Sequence, residues 1–239
     1  MQRILIEQSE RANVVRFNAP ATRNQLDDEL VAELHAALDG CDPQRVLALR
    51  GNGDGFSAGR PHSPGGHPRG PEAAHAALGE LVRLNLRIAQ WAAPTLAFVH
   101  GYAHGAALGI LQHVDIAVAA HGTRCSFPEI TYNLPPALVA SYLGNKIGEK
   151  ATRYLIMTGD EIDAERARDM GLFSSVVAAD ALDAEASRLI AHVSERLEAE
   201  ISMKATLREF STYGGSLESD MERGVESVMR WARRPKVAS

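Results

Sequence analysis

The chain of 239 residues carries only two cysteines, Cys41 and Cys125, far apart and neither in a CxxC pair. That argues against a disulfide framework or a cysteine metal site, and two buried, reduced thiols are expected. No long Lys/Arg run occurs and the formal net charge is -5, so the electrostatic footprint of a nucleic-acid binder is missing. No segment approaches the roughly 18 consecutive apolar residues of a membrane span. The opening MQRILIEQSER has no apolar stretch of signal-peptide length. The expectations are no nucleic-acid partner, no membrane and a cytoplasmic location. Internal repeats and low-complexity tracts are also lacking. What remains is 45% apolar and 23% charged residues, enough for one large α/β domain, alone or with a small helical appendage.

Ile4–Ile6 and Val14–Phe17, separated by polar Ser9–Asn13, predict an antiparallel hairpin. Leu30, Val31, Leu34 and Leu38 fall at helical spacing behind Asp27, Asp28 and Glu29, predicting a helix over 27–38. Val46–Leu49, Thr95–Val99 and Asp115–Ala120 read as apolar strands, with a helix at about 72–91. Residues 51–71 are rich in Gly and Pro, with Phe56 the single large apolar residue, and 61–71 reads as a loop. Gly101–Gly109 reads as a small-residue turn. Beyond about Leu143, helices are expected at 143–158, 163–170, 180–200 and 217–232, with one strand at 174–177. Strand, turn and helix in succession predict a layered α/β fold with right-handed crossovers.

Two glycine-containing turns follow apolar strands: Phe56-Ser57-Ala58-Gly59-Arg60 and His100-Gly101-Tyr102-Ala103-His104-Gly105-Ala106-Ala107. Small residues let a ligand approach the backbone closely. If the second turn opens a helix, its free N–H groups attract negative charge, and two such amides converging on one point make an oxyanion hole. The same residues would also serve as plain strand-to-helix turns.

The first turn resembles the F-x-A-G-x-D-L segment of the crotonase (enoyl-CoA hydratase/isomerase) superfamily, and the second its N-G-x-A-x-G-G-G turn. Phe127-Pro128-Glu129-Ile130 with Pro135-Pro136 resembles the family's P-E-x-x-x-G-x-x-P stretch, Pro20–Leu26 its R-P-x-x-x-N-A-L, and Gly171–Val177 its G-L-V-x-x-V-V. These matches occur in order over about residues 3–232. The resemblance implies a spiral of ββα repeats with a C-terminal helical trimerisation region, divided here as 1–190 and 191–239. It implies an acyl-CoA thioester as substrate, no further cofactor, and assembly as a homo-trimer or hexamer. Met221, Val225, Val228 and Met229 lie at near-helical spacing, which suits either such an interface or an intrachain core. The family's two oxyanion amides map to Arg60 and Ala106. Ala58, Gly59, Gly105, His62, His104 and Tyr132 are the expected substrate contacts, with no metal ligand among them.

The departures from the pattern bear on the reaction. Family hydratases use two glutamates. The first position is Gly109 here, whereas the second survives as Glu129. Hydration calls for two groups, one on water and one on the α-proton. Moving a double bond needs one base that takes a proton and returns it elsewhere. A lone Glu129 therefore points to an enoyl-CoA isomerase, with a hydratase, thioester hydrolase or decarboxylase as alternatives. An inactive acyl-CoA-binding or scaffold protein is a third reading. Pro61 replaces the family's acidic residue, Ala106 and Ala107 replace two glycines, and Asn133 a third. Of the histidines near these turns (His62, His67, His100, His104 and His113), His104 is the first choice for a second polar group, since imidazole titrates near neutrality. Tyr102 and Tyr132 are candidates to line an acyl pocket, and the side chains of Arg60, Lys204 and Lys236 to meet CoA phosphates.

Overall fold

The computed structural model describes residues 2–61, 70–209 and 217–232. Six strands form the larger sheet: β1 (Ile4–Gln8), β2 (Ala12–Phe17), β3 (Val46–Gly51), β4 (Thr95–Val99), β6 (Ile116–Ala120) and β9 (Ser175–Val177), hydrogen-bonded in that order. β1 and β2 pair antiparallel, as their alternation predicts, and every later neighbour is parallel. A smaller sheet runs β5 (Tyr102–His104), β7 (Arg124–Ser126), β8 (Ile162–Asp163). The isolated parallel bridge Ser57↔Ala103 extends it to the first glycine turn. The chain thus deposits one strand in each sheet and then a helix: β3, Ser57 and α2 (Pro71–Ala89); β4, β5 and α3 (Ala106–Leu111); β6, β7 and the helices α4 (Ala137–Ile147) and α5 (Glu149–Thr158). That is the expected spiral of ββα units.

The parallel strands read as unbroken apolar runs because both faces of the larger sheet are covered. Val15, Phe17, Leu47, Leu49, Ala97, Val99, Ala117 and Ala119 pack into the main core with α1 (Asp28–Asp39), α2 and α3. Alternate residues Val46, Ala48, Leu96, Phe98, Val118 and Ala120 face Leu182, Ala186 and Val193 of α7 (Leu182–Ser194). α1 starts where its acidic cluster predicts: the Asp27 side chain accepts the Leu30 N–H and caps the helix.

Three stretches differ from the expectation. The helix expected over 143–158 is two helices, α4 and α5, parted at Gly148, whose φ is +84°. The span 180–200 contains α7 and the start of α8 (Leu197–Glu209). Gly101–Gly109 is not one turn but β5 followed directly by α3. The last helix, α9 (Leu217–Ala232), buries Met221, Val225 and Met229 in the main core. A Cβ on Gly224 would stand 2.9 Å from Leu138 Cα, so α9 and α4 touch backbone to backbone. α8 is tied down by Lys204, buried, with Nζ 2.6 Å from Asp115 and a hydrogen bond to the Ala93 carbonyl. Cys41 and Cys125 are free and buried. No described helix is long and apolar enough to cross a membrane.

Candidate active site

The two glycine turns meet because the smaller sheet forces them together. Phe56 N–H donates to the Tyr102 carbonyl, and His104 N–H donates to the Ser57 carbonyl at 3.1 Å. Gly59 has φ +74°, and a Cβ there would lie 2.4 Å from the His104 carbonyl oxygen and 3.3 Å from the Ala106 nitrogen. No other residue fits so close an approach at that φ. From beneath, Asn24 fixes the first turn. It is fully buried, and its side-chain amide donates to the carbonyls of Asn52, Gly55 and Phe56 at 2.8–3.1 Å. Ser57 Oγ donates to the Asn24 carbonyl and accepts the Gly59 N–H. Gly105 N–H is spent on the Ser126 carbonyl. The next amide, that of Ala106 in the first turn of α3, donates to no partner among the described residues, and neither does the amide of Arg60. Two free N–H groups therefore stand on adjoining turns, Arg60 directly after Gly59 and Ala106 directly after Gly105.

Glu129 faces them. Pro128 opens a short 3-10 turn, Pro128–Tyr132, closed by Asn133 at φ +57°. This turn holds the carboxylate over the second glycine turn, where a Cβ on Gly105 (φ +50°) would lie 2.8 Å from Glu129 Oε1. Oε2 is buried with no hydrogen-bond partner. Desolvation, opposed by a hydrogen bond from its own backbone, pushes the Glu129 carboxyl up from 4.5 to about 7. A dehydrated carboxylate with one oxygen unpartnered among the described residues, and a pKa raised towards neutrality, has the properties of a proton-transfer group.

Tyr142 of α4 escaped the sequence reading. Its hydroxyl stands 2.7 Å from where a Cβ on Gly109 would be, and its ring packs edge-on to buried His113 at 4.6 Å between centroids. Burial and then the Glu129 charge push the phenol well up. His113 has no partner for either ring nitrogen and is held neutral by burial, its pKa lowered to about 3.

Several of the expected contacts have partners within the chain. His104 Nδ1 is 3.0 Å from Ser126 Oγ, its Nε2 3.7 Å from Glu161, and its ring stacks on Tyr102. Desolvation lowers its pKa against the pull of Glu161, keeping the ring neutral near pH 7. The Arg60 guanidinium is held at 2.7 Å by Asp28 rather than offered to a phosphate. Lys204 is likewise committed to Asp115. Tyr132 is 51% exposed. His100 hydrogen-bonds the Gly53 carbonyl. His62, His67 and Lys236 lie outside the described residues. Ala58, half-buried, anchors the first turn through its N–H to the Arg23 carbonyl.

The family model for enoyl-CoA hydratase/isomerase matches residues 7–219. The chain belongs to that family. A Thermus thermophilus relative carrying the provisional name enoyl-CoA hydratase is 32% identical over 168 residues, 68% of this chain and 66% of its own. The hydroxycinnamoyl-CoA hydratase-lyase of Pseudomonas fluorescens is 30% identical over 68% of this chain and 62% of its own. A solved enoyl-CoA hydratase of Mycobacterium smegmatis superposes with TM-score 0.78 and 26% identity, over 95% of this chain and 91% of that one. At the site the chain carries glycine at 109 with a tyrosine hydroxyl pressed against it.

Proposed function

We propose that the protein is an acyl-CoA enzyme that shifts a double bond in an enoyl thioester, with Glu129 as its single base. The observation that carries this reading is the Glu129 carboxyl poised over Gly105, unpaired at Oε2, beside the free amides of Arg60 and Ala106. The thioester oxygen sits between those amides. Glu129 removes a proton from the α-carbon of a 3-enoyl thioester, the electrons move onto the oxygen as a dienolate, and the two N–H groups hold the developing charge. Each such donor contributes about 3 kcal/mol. The protonated Glu129 then returns its proton to the γ-carbon, giving the conjugated 2-enoyl thioester. One proton is removed and one returned by the same carboxyl, so the step balances without added water or a cofactor, and exchange of the carboxyl proton with solvent between the two transfers labels the substrate.

Ultraviolet absorbance of the conjugated product follows the reaction. Glu129→Gln is expected to lose at least about 100-fold in kcat, the range for a proton-transferring residue, together with solvent-deuterium exchange into substrate. Full activity of that variant on a panel of enoyl-CoAs would defeat the assignment. Hydration is the second reading, favoured by the relatives' names. Appearance of a 3-hydroxyacyl product from the same panel would favour it. A homo-trimer or hexamer is part of the proposal, supported by the outward-facing Met157, Met203 and Leu207. Light scattering reads the mass directly.

A further inference from the structure

Gly109 lies inside α3 with no positive φ. Its backbone is one that alanine would adopt with better helix propensity. The glycine is therefore explained by space, not by conformation. The atom that takes the space is Tyr142 Oη, 2.7 Å from the missing Cβ, well inside van der Waals contact. Nor is the tyrosine free to swing aside. Its ring is 2% exposed and sits edge-on against His113, itself buried. The ring thus holds the hydroxyl in place against Gly109.

We propose that Tyr142 is the specificity-determining residue of the site: its hydroxyl occupies the corner above Gly109, keeps a second carboxylate and its water out, and so leaves Glu129 to work alone. The chemical outcome rests on the isomerase reading above, whereas the steric pairing of Tyr142 with Gly109 does not.

The test uses short 3-enoyl-CoA and 2-enoyl-CoA substrates with the wild type, Gly109→Glu, Tyr142→Ala and the double variant Gly109→Glu/Tyr142→Ala. Gly109→Glu alone is expected to hydrate no faster than wild type, because the tyrosine blocks its carboxylate. The double variant is expected to hydrate at least about tenfold faster, since a placed carboxylate is worth that much or more. The proposal is overturned if Gly109→Glu alone hydrates as well as the double variant, or if a folded double variant hydrates no better than wild type. Should circular dichroism show the glutamate variants unfolded, Gly109→Ala and Gly109→Ala/Tyr142→Phe decide instead. The proposal requires that removing the hydroxyl recovers most of the melting temperature lost on adding the methyl, and strictly additive losses refute it. A wild type that does not isomerise, with these couplings intact, refutes the isomerase reading and leaves the pairing standing.

Discussion

Replacing Glu129 with glutamine should disable the protein and change its stability by an amount that depends on pH. Burial raises this carboxyl from 4.5 to about 7, so the folded state disfavours the charged form. The folded protein holds the proton between those two values and the unfolded chain does not. Stability contributed by the group is thus intact below pH 4.5 and is lost as pH rises towards 7. At about 1.4 kcal/mol per tenfold change in the proton equilibrium, the loss amounts to about 3 kcal/mol by pH 8. Glutamine carries no charge and escapes this penalty, though its amide, placed where Oε2 has no partner, costs about 1–3 kcal/mol at every pH. The constant term cancels when two pH values are compared. The difference in melting temperature, variant minus wild type, should therefore rise between pH 5 and pH 8 by roughly 5–10 °C for a chain of this size. Differential scanning calorimetry measures it. A difference that stays flat across that range would mean Glu129 titrates like an exposed glutamate, and the account of a dehydrated base would be wrong.

The same shift predicts that kcat/KM of the wild type rises with pH through about 7, because the base must be ionised; a rate already at plateau at pH 5 would contradict it. Gly59→Ala forces a methyl to within 2.4 Å of the His104 carbonyl at φ +74° and should lower kcat by about 100-fold, the loss expected when one oxyanion donor is displaced. Asn24→Ala strips three carbonyls of their donor and should cost about 2–4 kcal/mol in denaturant titration, with a parallel fall in activity. His104→Gln should keep turnover within about threefold, against the 10²–10⁴-fold loss of a proton-handling residue. Lys204→Met should cost about 2 kcal/mol of stability, moderated because its partner Asp115 is 36% exposed, and leave the KM for acyl-CoA unchanged.

The elements legible in the sequence are those whose signal is local. Thr95–Val99 and Val46–Leu49 announce strands covered on both faces because every residue but Thr95 is apolar, and Asp27 announces a helix start. β7 and β8, at three and two residues, are defined by pairing with each other and with β5, which no local pattern encodes. The break at Gly148 was hidden because apolar periodicity continues across it. In the site, the turns were legible because close backbone approach demands glycine, and Glu129 because Pro128 precedes it. Tyr142 was not, since only tertiary packing brings α4 against α3. The partners of His104 are hidden in the sequence for the same reason: adjacency to Gly105 says nothing of which side of β5 its ring occupies, and tertiary packing sets it against Glu161 and Ser126.

The two thiols give the protein its own reporter of opening. Cys125 sits in β7 opposite Ala103, directly beneath the second glycine turn, and burial pushes its thiol up to about 12. Cys41 lies just past the end of α1 against the main core, and burial raises its thiol too. Neither reacts with an alkylating agent while its surroundings stay closed, since the thiolate is the reactive form. Labelling rates at the two positions therefore clock separate events: Cys125 registers local fluctuations of the strands that carry the amides, and Cys41 the loosening of the larger hydrophobic body. If a bound thioester quiets the first clock and leaves the second unchanged, the site closes around its substrate without tightening the rest of the molecule.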